Sequence, residues 1–269
     1  MTQNAQTPRA RARGSKGLAF QVVRAILSFL ARGYFHLDVR GLQHIPRHGG
    51  AIIAGNHPSV LDGILLLVVS PRPVHFLVAE EYYNHPLLKP LFRAVGSIEV
   101  YRTKTHNGDA LRMAVAALER GELIGIFPEG TVSFGGTMQH VKQGVALLAL
   151  RTACPVIPLA IRGSREAFPP DAKIPFPRLV QLHFDAPMTF PKVVFERIPE
   201  DQILSVREQI RQHILNLVTL AQTRPAEERA YRIGWLKWLG IATAALIVVP
   251  LARFFTLTSR PSLDPAAQG

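Results

Sequence analysis

Ala51-Ile52-Ile53-Ala54-Gly55-Asn56-His57-Pro58-Ser59-Val60-Leu61-Asp62 decides how this chain folds. Ala51 to Ala54 carries no polar side chain, as expected of a short strand covered on both faces. Gly55 ends the run, a polar corner follows, and Val60 to Val69 is apolar enough to be a helix packed on a sheet. Strand, polar corner and helix is the arrangement in which α/β proteins present chemistry at the carboxyl ends of their strands. Pro58 suits a first helical position, so the spacing predicts His57 at the cap and Asp62 a little over one turn in. His57 then curls back so that one ring nitrogen meets the Asp62 carboxylate. That contact fixes the tautomer and leaves the other nitrogen to take a proton.

A second corner of the same kind, Phe127-Pro128-Glu129-Gly130-Thr131, follows the apolar run Leu123 to Ile126. Two polar corners at the ends of two apolar strands can face one crevice. Outward from these, strands are expected at Val74–Ala79, Ile98–Val100 and Val156–Ile161, and helices within Tyr82–Val95, at Asn107–Glu119 and at Val141–Arg151. Strand and helix alternate from 51 to 161, which predicts an α/β fold with a largely parallel sheet flanked by helices. His36–Gly41 reads as an edge strand. Val180, Leu182 and Phe184 alternate with Gln181, His183 and Asp185, as in a more exposed strand near a sheet edge. Glu200–Ala221 has Ile203, Val206, Ile210, Ile214 and Leu217 at helical spacing.

The ends differ from this middle. Residues 1–17 form a basic tail with Arg9, Arg11, Arg13 and Lys16. Residues 18–34 are expected to be a membrane-associated helix: only Arg24 is charged between Leu18 and Ala31. The run is shorter than the ~20 residues of a span, so a helix in the interface with Arg24 snorkelling is preferred over a core helix. Residues 224–258 read as a basic linker, with Arg224, Arg229, Arg232 and Lys237, and an apolar helix from Trp235 to Leu257 that is transmembrane or deeply inserted, against an amphipathic surface alternative. Trp235, Trp238, Phe254 and Phe255 suit its two interfaces. Residues 259–269 are a tail. Positive charge ahead of the second helix would hold the intervening 35–223 domain on the cytoplasmic side of the cell membrane.

The chain holds 31 Lys and Arg against 19 Asp and Glu, a formal charge of +12. Such a protein seeks anions: nucleic acid, anionic lipid or phosphorylated small molecules. No helix-turn-helix, zinc, RRM or KH pattern is present, so nucleic acid is not the expected partner. Cys154 is the one cysteine, which rules out an internal disulfide and fits a reducing compartment. Pro46 between His44 and His48 speaks against a helical metal pair, and no metal site is expected. No serine lies in G-x-S-x-G, so the nucleophile elbow of a serine esterase is missing.

The two corners together resemble the glycerolipid acyltransferase family, the lysophosphatidic acid acyltransferases and their relatives. Asn56-His57…Asp62 looks like the first of the family's four blocks, and Gly96-Ser97-Ile98-Glu99-Val100-Tyr101-Arg102 like the second. Phe127 to Thr131 looks like the third and Val156-Ile157-Pro158-Leu159 like the fourth, so the resemblance covers about residues 35 to 190. It implies a glycerol-3-phosphate acyltransferase-like fold and transfer of a fatty acyl group from a thioester, acyl-CoA or acyl carrier protein, to a lysophospholipid hydroxyl. No further cofactor is implied. His57 would be the base and Asp62 its orienting partner. Arg102, Glu129, Gly130, Thr131 and Lys142 would bind the acceptor, Arg102 through its fork to a phosphate, and the Gly130 N–H would serve an anion or oxyanion. Glu129 is expected to hold Arg102 or another cation. An anionic membrane is the expected partner.

Two departures bear on the acceptor. The family pattern for phosphatidic acid synthesis often has an arginine directly after Glu-Gly-Thr, where this chain has Val132, and a lysine after the strand ending at Ala79, where it has Glu80 and Glu81. The first-ranked acceptor is 1-acylglycerol-3-phosphate. The alternatives are another lyso-lipid acceptor or, in a different class, a catalytically inactive basic lipid-binding protein.

Overall fold

The computed structural model describes residues 18–84, 86, 89–100, 107–133, 138, 141–172, 174–194 and 198–223. Seven strands form one sheet: β1 (His36–Arg40), β2 (Ala51–Gly55), β3 (Val74–Ala79), β4 (Ile98–Val100), β5 (Leu123–Ile126), β6 (Val156–Arg162) and β7 (Leu179–Phe184), in the order β1-β7-β6-β2-β5-β3-β4. All pairings are parallel except β6 with β7. The expected α/β class and largely parallel sheet are therefore observed, with β1 on an edge.

The uniform apolarity of the central strands has a direct cause. Along β2, Ala51 and Ile53 face one core, Ile52 and Ala54 the other, and all four are fully buried. The first core is closed by α1 (Leu18–Tyr34), α2 (Asp62–Val69) and the short α7 (Ser164–Ala167). The second is closed by α5 (Asn107–Glu119), α6 (Gly144–Thr152) and α8 (Glu200–Thr223), which turns in Ile203, Val206, Ile210 and Ile214. Between β3 and β4 the helix expected after Pro86 is α4 (Lys89–Ala94), and a further short helix, α3 (Glu80–Tyr83), precedes it.

Four expectations need correction. Helix α2 starts at Asp62, not at Pro58. The Asp62 carboxylate reaches back to the Ser59 N–H at 2.8 Å while the Asp62 N–H donates to the Ser59 carbonyl at 3.1 Å, and this closed turn delays the helix. Helix α6 starts at Gly144 because the Lys142 N–H donates to the Pro128 carbonyl at 2.7 Å, which holds the preceding residues against the second corner. Strand β7 is not exposed: β1 covers its outer edge, and Gln181 and His183 are buried beside Asp38, to which Gln181 donates at 3.2 Å.

The fourth concerns residues 18–34. They are helical, but Arg24 does not snorkel; its guanidinium donates to the Ser70 carbonyl at 3.0 Å and the Ser28 hydroxyl to the Val68 carbonyl at 3.2 Å, so α1 lies along α2. Ala31 and Tyr34 are buried, whereas Ile26 and Phe29 are 50% and 58% exposed. Among the described residues no helix is long and apolar enough to cross a membrane. The basic tail 1–17, the segment 224–258 and the tail 259–269 lie outside the described residues.

Candidate active site

Strands β2 and β5 are neighbours in register, Ala54 beside Ile126, so the two polar corners leave the sheet side by side at one end. The His57 Nδ1 lies 2.8 Å from Asp62 Oδ2, as the sequence spacing predicts. Asp62 is fully buried, and the His57 ring stacks on Phe127 with centroids 4.1 Å apart and planes 11° from parallel. Geometry assigns the Nδ1 proton to the bond with Asp62, which leaves Nε2 as the proton acceptor. Asp62 Oδ1 has no partner among the described residues.

The loop that carries His57 is fastened mainly through backbone. The His57 N–H donates to Glu129 Oε1 at 3.1 Å, and the Ser133 N–H donates to the His57 carbonyl at 2.9 Å. One residue earlier, the Asn56 amide donates to the Ile161 carbonyl at 2.9 Å and accepts from the Ile161 N–H at 2.8 Å. Asn56 thus continues the β2–β6 ladder with its side chain after the backbone has turned away. Asn56, Ser59, Phe127 and Ser133 all support the pair, and sequence reasoning gave none of them a role. A polar residue directly after a wholly apolar strand was the available signal for Asn56; Ser133 carried none.

Glu129 departs from expectation. Among the described residues its carboxylate meets no cation; it takes the His57 N–H, and the Ser133 hydroxyl lies 3.4 Å away. Burial pushes its carboxyl above the ordinary value, against the opposing pull of those hydrogen bonds. A raised pKa means that the folded chain holds this proton more tightly than the unfolded one. The stabilisation is present at low pH and is lost as pH rises from the ordinary 4.5 through the folded value. Glu129→Gln, which keeps the acceptor oxygen and removes the buried charge, is expected to melt higher than the parent at pH 7.5. The difference should shrink toward about pH 4.5. Thermal melts at the two pH values check this; a variant that melts lower at pH 7.5 would show that the charge itself stabilises.

Gly130 has φ of 72°, in the left-handed region that favours glycine, and the end of the Lys142 side chain lies against it. Its N–H donates to the Phe127 carbonyl at 2.9 Å and is not free for an oxyanion, contrary to expectation. The N–H groups of Thr131 and Val132 have no partner among the described residues and take over as candidates. The structure therefore brings together His57, Asp62, Glu129, Gly130, Thr131 and Lys142, while Arg102 lies outside the described residues.

His57, Gly130, Thr131 and Val132 line a cavity of about 180 Å³. The rest of its described wall is apolar apart from Tyr82, including Val60, Ile64, Phe76, Val78, Phe92 and Phe168, and among the described residues no charged side chain lines it. Such a cavity suits a hydrocarbon chain whose reactive end reaches His57. Among the described residues no group of three His, Cys, Asp or Glu could hold a metal ion.

Residues 36–162 match the family model described as Acyltransferase. An uncharacterized protein of Mycobacterium tuberculosis is 30% identical over 163 residues, covering 55% of this chain and 43% of that one. The 1-acyl-sn-glycerol-3-phosphate acyltransferase of Borreliella burgdorferi is 28% identical over 153 residues, covering 56% of this chain and 61% of the relative. Both alignments thus span less than two thirds of the relative. The crystal structure of the 1-acyl-sn-glycerophosphate (LPA) acyltransferase PlsC from Thermotoga maritima has the same fold, with a TM-score of 0.60 at 23% identity over 78% of this chain and 83% of that one.

Proposed function

We propose that this chain, whose residues 36–162 match the Acyltransferase family model, transfers a fatty acyl group from acyl-CoA or acyl carrier protein to the hydroxyl of a lysophospholipid, with 1-acylglycerol-3-phosphate as the first acceptor to test. The observation that carries the reading is His57, held 2.8 Å from Asp62, on the wall of a cavity whose described lining is largely apolar. His57 Nε2 takes the proton of the acceptor hydroxyl as its oxygen attacks the thioester carbonyl. Asp62 stabilises the imidazolium that forms, and the Thr131 and Val132 N–H groups on the cavity wall are the candidate donors for the oxyanion. Collapse of the tetrahedral species expels the thiolate, which recovers the proton from His57. The ester product and the free thiol balance the reaction without a covalent acyl-enzyme.

The 35–223 domain would work at the cytoplasmic face of a cell membrane, where the acceptor resides. The net charge of +12 and the exposed Ile26 and Phe29 on α1 support contact with an anionic lipid surface. The test is an acyl-transfer assay of the purified chain with one acyl-CoA against a panel of lyso-acceptors. Absence of transfer to every member would overturn the reading and favour a lipid-binding role.

Val132 on the cavity wall favours a second reading, an acceptor other than a phosphate monoester. A missing charge-assisted hydrogen bond costs roughly 1.5–3 kcal/mol, about one to two powers of ten in affinity. If Arg102 and Lys142 carry the phosphate instead, Arg102→Ala is expected to raise the KM for lysophosphatidic acid about tenfold or more, and to change that for a headgroup-masked lysophospholipid much less. Equal losses on both acceptors would make Arg102 structural.

A further inference from the structure

The sheet changes direction once, and this decides what surrounds the cavity mouth. Strand β6 runs with β2 and β5, so its carboxyl end lies at the end of the sheet where His57 and Glu129 emerge. Strand β7 runs against β6, with Arg162 beside Gln181, and β1 runs with β7, with His36 beside Leu179. The amino ends of β1 and β7 therefore lie at the active-site end as well. The segment that enters β7, residues 169–178, is consequently part of that end and not of the opposite one.

This segment starts directly after Phe168, a cavity-wall residue, and returns to the same place: the Phe176 N–H donates to the Ala167 carbonyl at 2.6 Å. Two further bonds tie it to the edge of the domain. The Tyr34 hydroxyl donates to the Pro175 carbonyl at 2.5 Å, and the His36 N–H donates to the Arg178 carbonyl at 3.1 Å. Pro169, Pro170, Pro175 and Pro177 add stiffness. A loop held this firmly has every means to bury its apolar side chains, yet Ile174 and Phe176 are 40% and 48% exposed. Leu179, just beyond, is 40% exposed. Arg178 between them is exposed, and by sequence the segment has Lys173 and Arg178 against a single acid, Asp171.

We propose that residues 169–172 and 174–178 form a rigid lip that docks the active-site end on an anionic bilayer, with Ile174 and Phe176 entering the acyl-chain boundary and Arg178 meeting lipid phosphates. An aromatic and a branched aliphatic tip beside an arginine is the composition that such an interface takes up. The lip adjoins Phe168, so a lipid acceptor would leave the bilayer next to the mouth of the cavity. The proposal rests on the acyl-transfer reading only for its purpose; the docking itself is measured without turnover.

The test uses the full chain and Ile174→Ser/Phe176→Ser, with folding checked by thermal melts. Sedimentation with phosphatidylglycerol–phosphatidylcholine vesicles should fall on the order of tenfold in partition coefficient for the double variant. Phe176→Leu, which keeps an apolar tip, should stay close to the parent even if the double variant folds poorly. Transfer to a vesicle-embedded long-chain lyso-acceptor should fall in parallel, while transfer to a short-chain acceptor kept monomeric in solution should not. Unchanged partition of a folded double variant would overturn the lip, and so would equal losses of rate on the two acceptors with partition intact. A parent chain that transfers to no acceptor yet loses vesicle binding in the double variant would retain the lip and overturn the acyl-transfer reading.

Discussion

Replacing His57 by alanine is expected to lower acyl transfer by about 10²–10⁴-fold, to the background of the assay, while the melting temperature stays close to that of the parent. The two halves of this expectation have separate causes. The imidazole is the positioned group whose free nitrogen faces the cavity, so its loss removes the base. The loop, by contrast, is held by the His57 N–H on Glu129, by the His57 carbonyl on the Ser133 N–H and by the Asn56 amide on Ile161, none of which involves the imidazole. The stacking on Phe127 and the bond to the buried Asp62 are forfeited, and the Ser59 N–H remains on the carboxylate. Initial rates with acyl-CoA and the best lyso-acceptor, beside a thermal melt, check both halves. Turnover near that of the parent would end the general-base assignment.

Asp62→Asn is expected to cost about 10³–10⁴-fold in rate with a small change in stability. Asparagine is close in shape, and its amide oxygen can still accept the Ser59 N–H that Asp62 Oδ2 accepts at 2.8 Å. Oδ2 is also the atom that meets His57 Nδ1, so in this orientation one amide oxygen holds both donors. The NH₂ group then takes the place of Oδ1, which has no partner among the described residues. The reversed amide keeps neither donor, drives the proton to Nε2 and blocks the base. The negative charge that stabilises the imidazolium is lost as well. Asp62→Ala should add a stability defect, because the buried Ser59 N–H is left without a partner at about 1–3 kcal/mol. A proton-NMR signal of the His57 ring, shifted between parent and Asp62→Asn, would report the tautomer directly. An unchanged tautomer with an unchanged rate would reduce Asp62 to a cap of α2.

The fold was legible where apolar runs are short and bounded. Ala51–Ala54, Val74–Ala79 and Leu123–Ile126 have no polar side chain on either face apart from His75, and only a doubly covered sheet explains such runs. Strand β7 was misjudged because alternation of polar and apolar residues normally marks an exposed face. Here the polar face meets Asp38 and its neighbours, a buried polar cluster that no local pattern announces. The pairing of His57 with Asp62 was legible, since five residues of chain can bring the two side chains together in several backbone conformations. The conformation itself was not: the helix start depends on which backbone groups Asp62 captures. The role of Glu129 was misread for a related reason. Its partner is a main-chain N–H seventy-two residues earlier, and main-chain donors leave no trace in side-chain composition.

Among the described residues β1 pairs only with β7, the last strand in sequence. Asp38 on β1 and Gln181 on β7 are 143 residues apart, yet they lie side by side in the edge pair. A ribosome adding about 5–20 residues per second would take about 7–30 s to make the intervening chain. Throughout that interval Leu37 and Val39 of β1 have no strand to pair with, and α1 leans mainly on α2. Synthesis thus leaves a sticky, basic amino-terminal segment waiting for its closing strand, in a chain whose sheet centre can already assemble. The time order of translation therefore exposes this segment to chaperones, or to a nearby bilayer, before the domain can shield it.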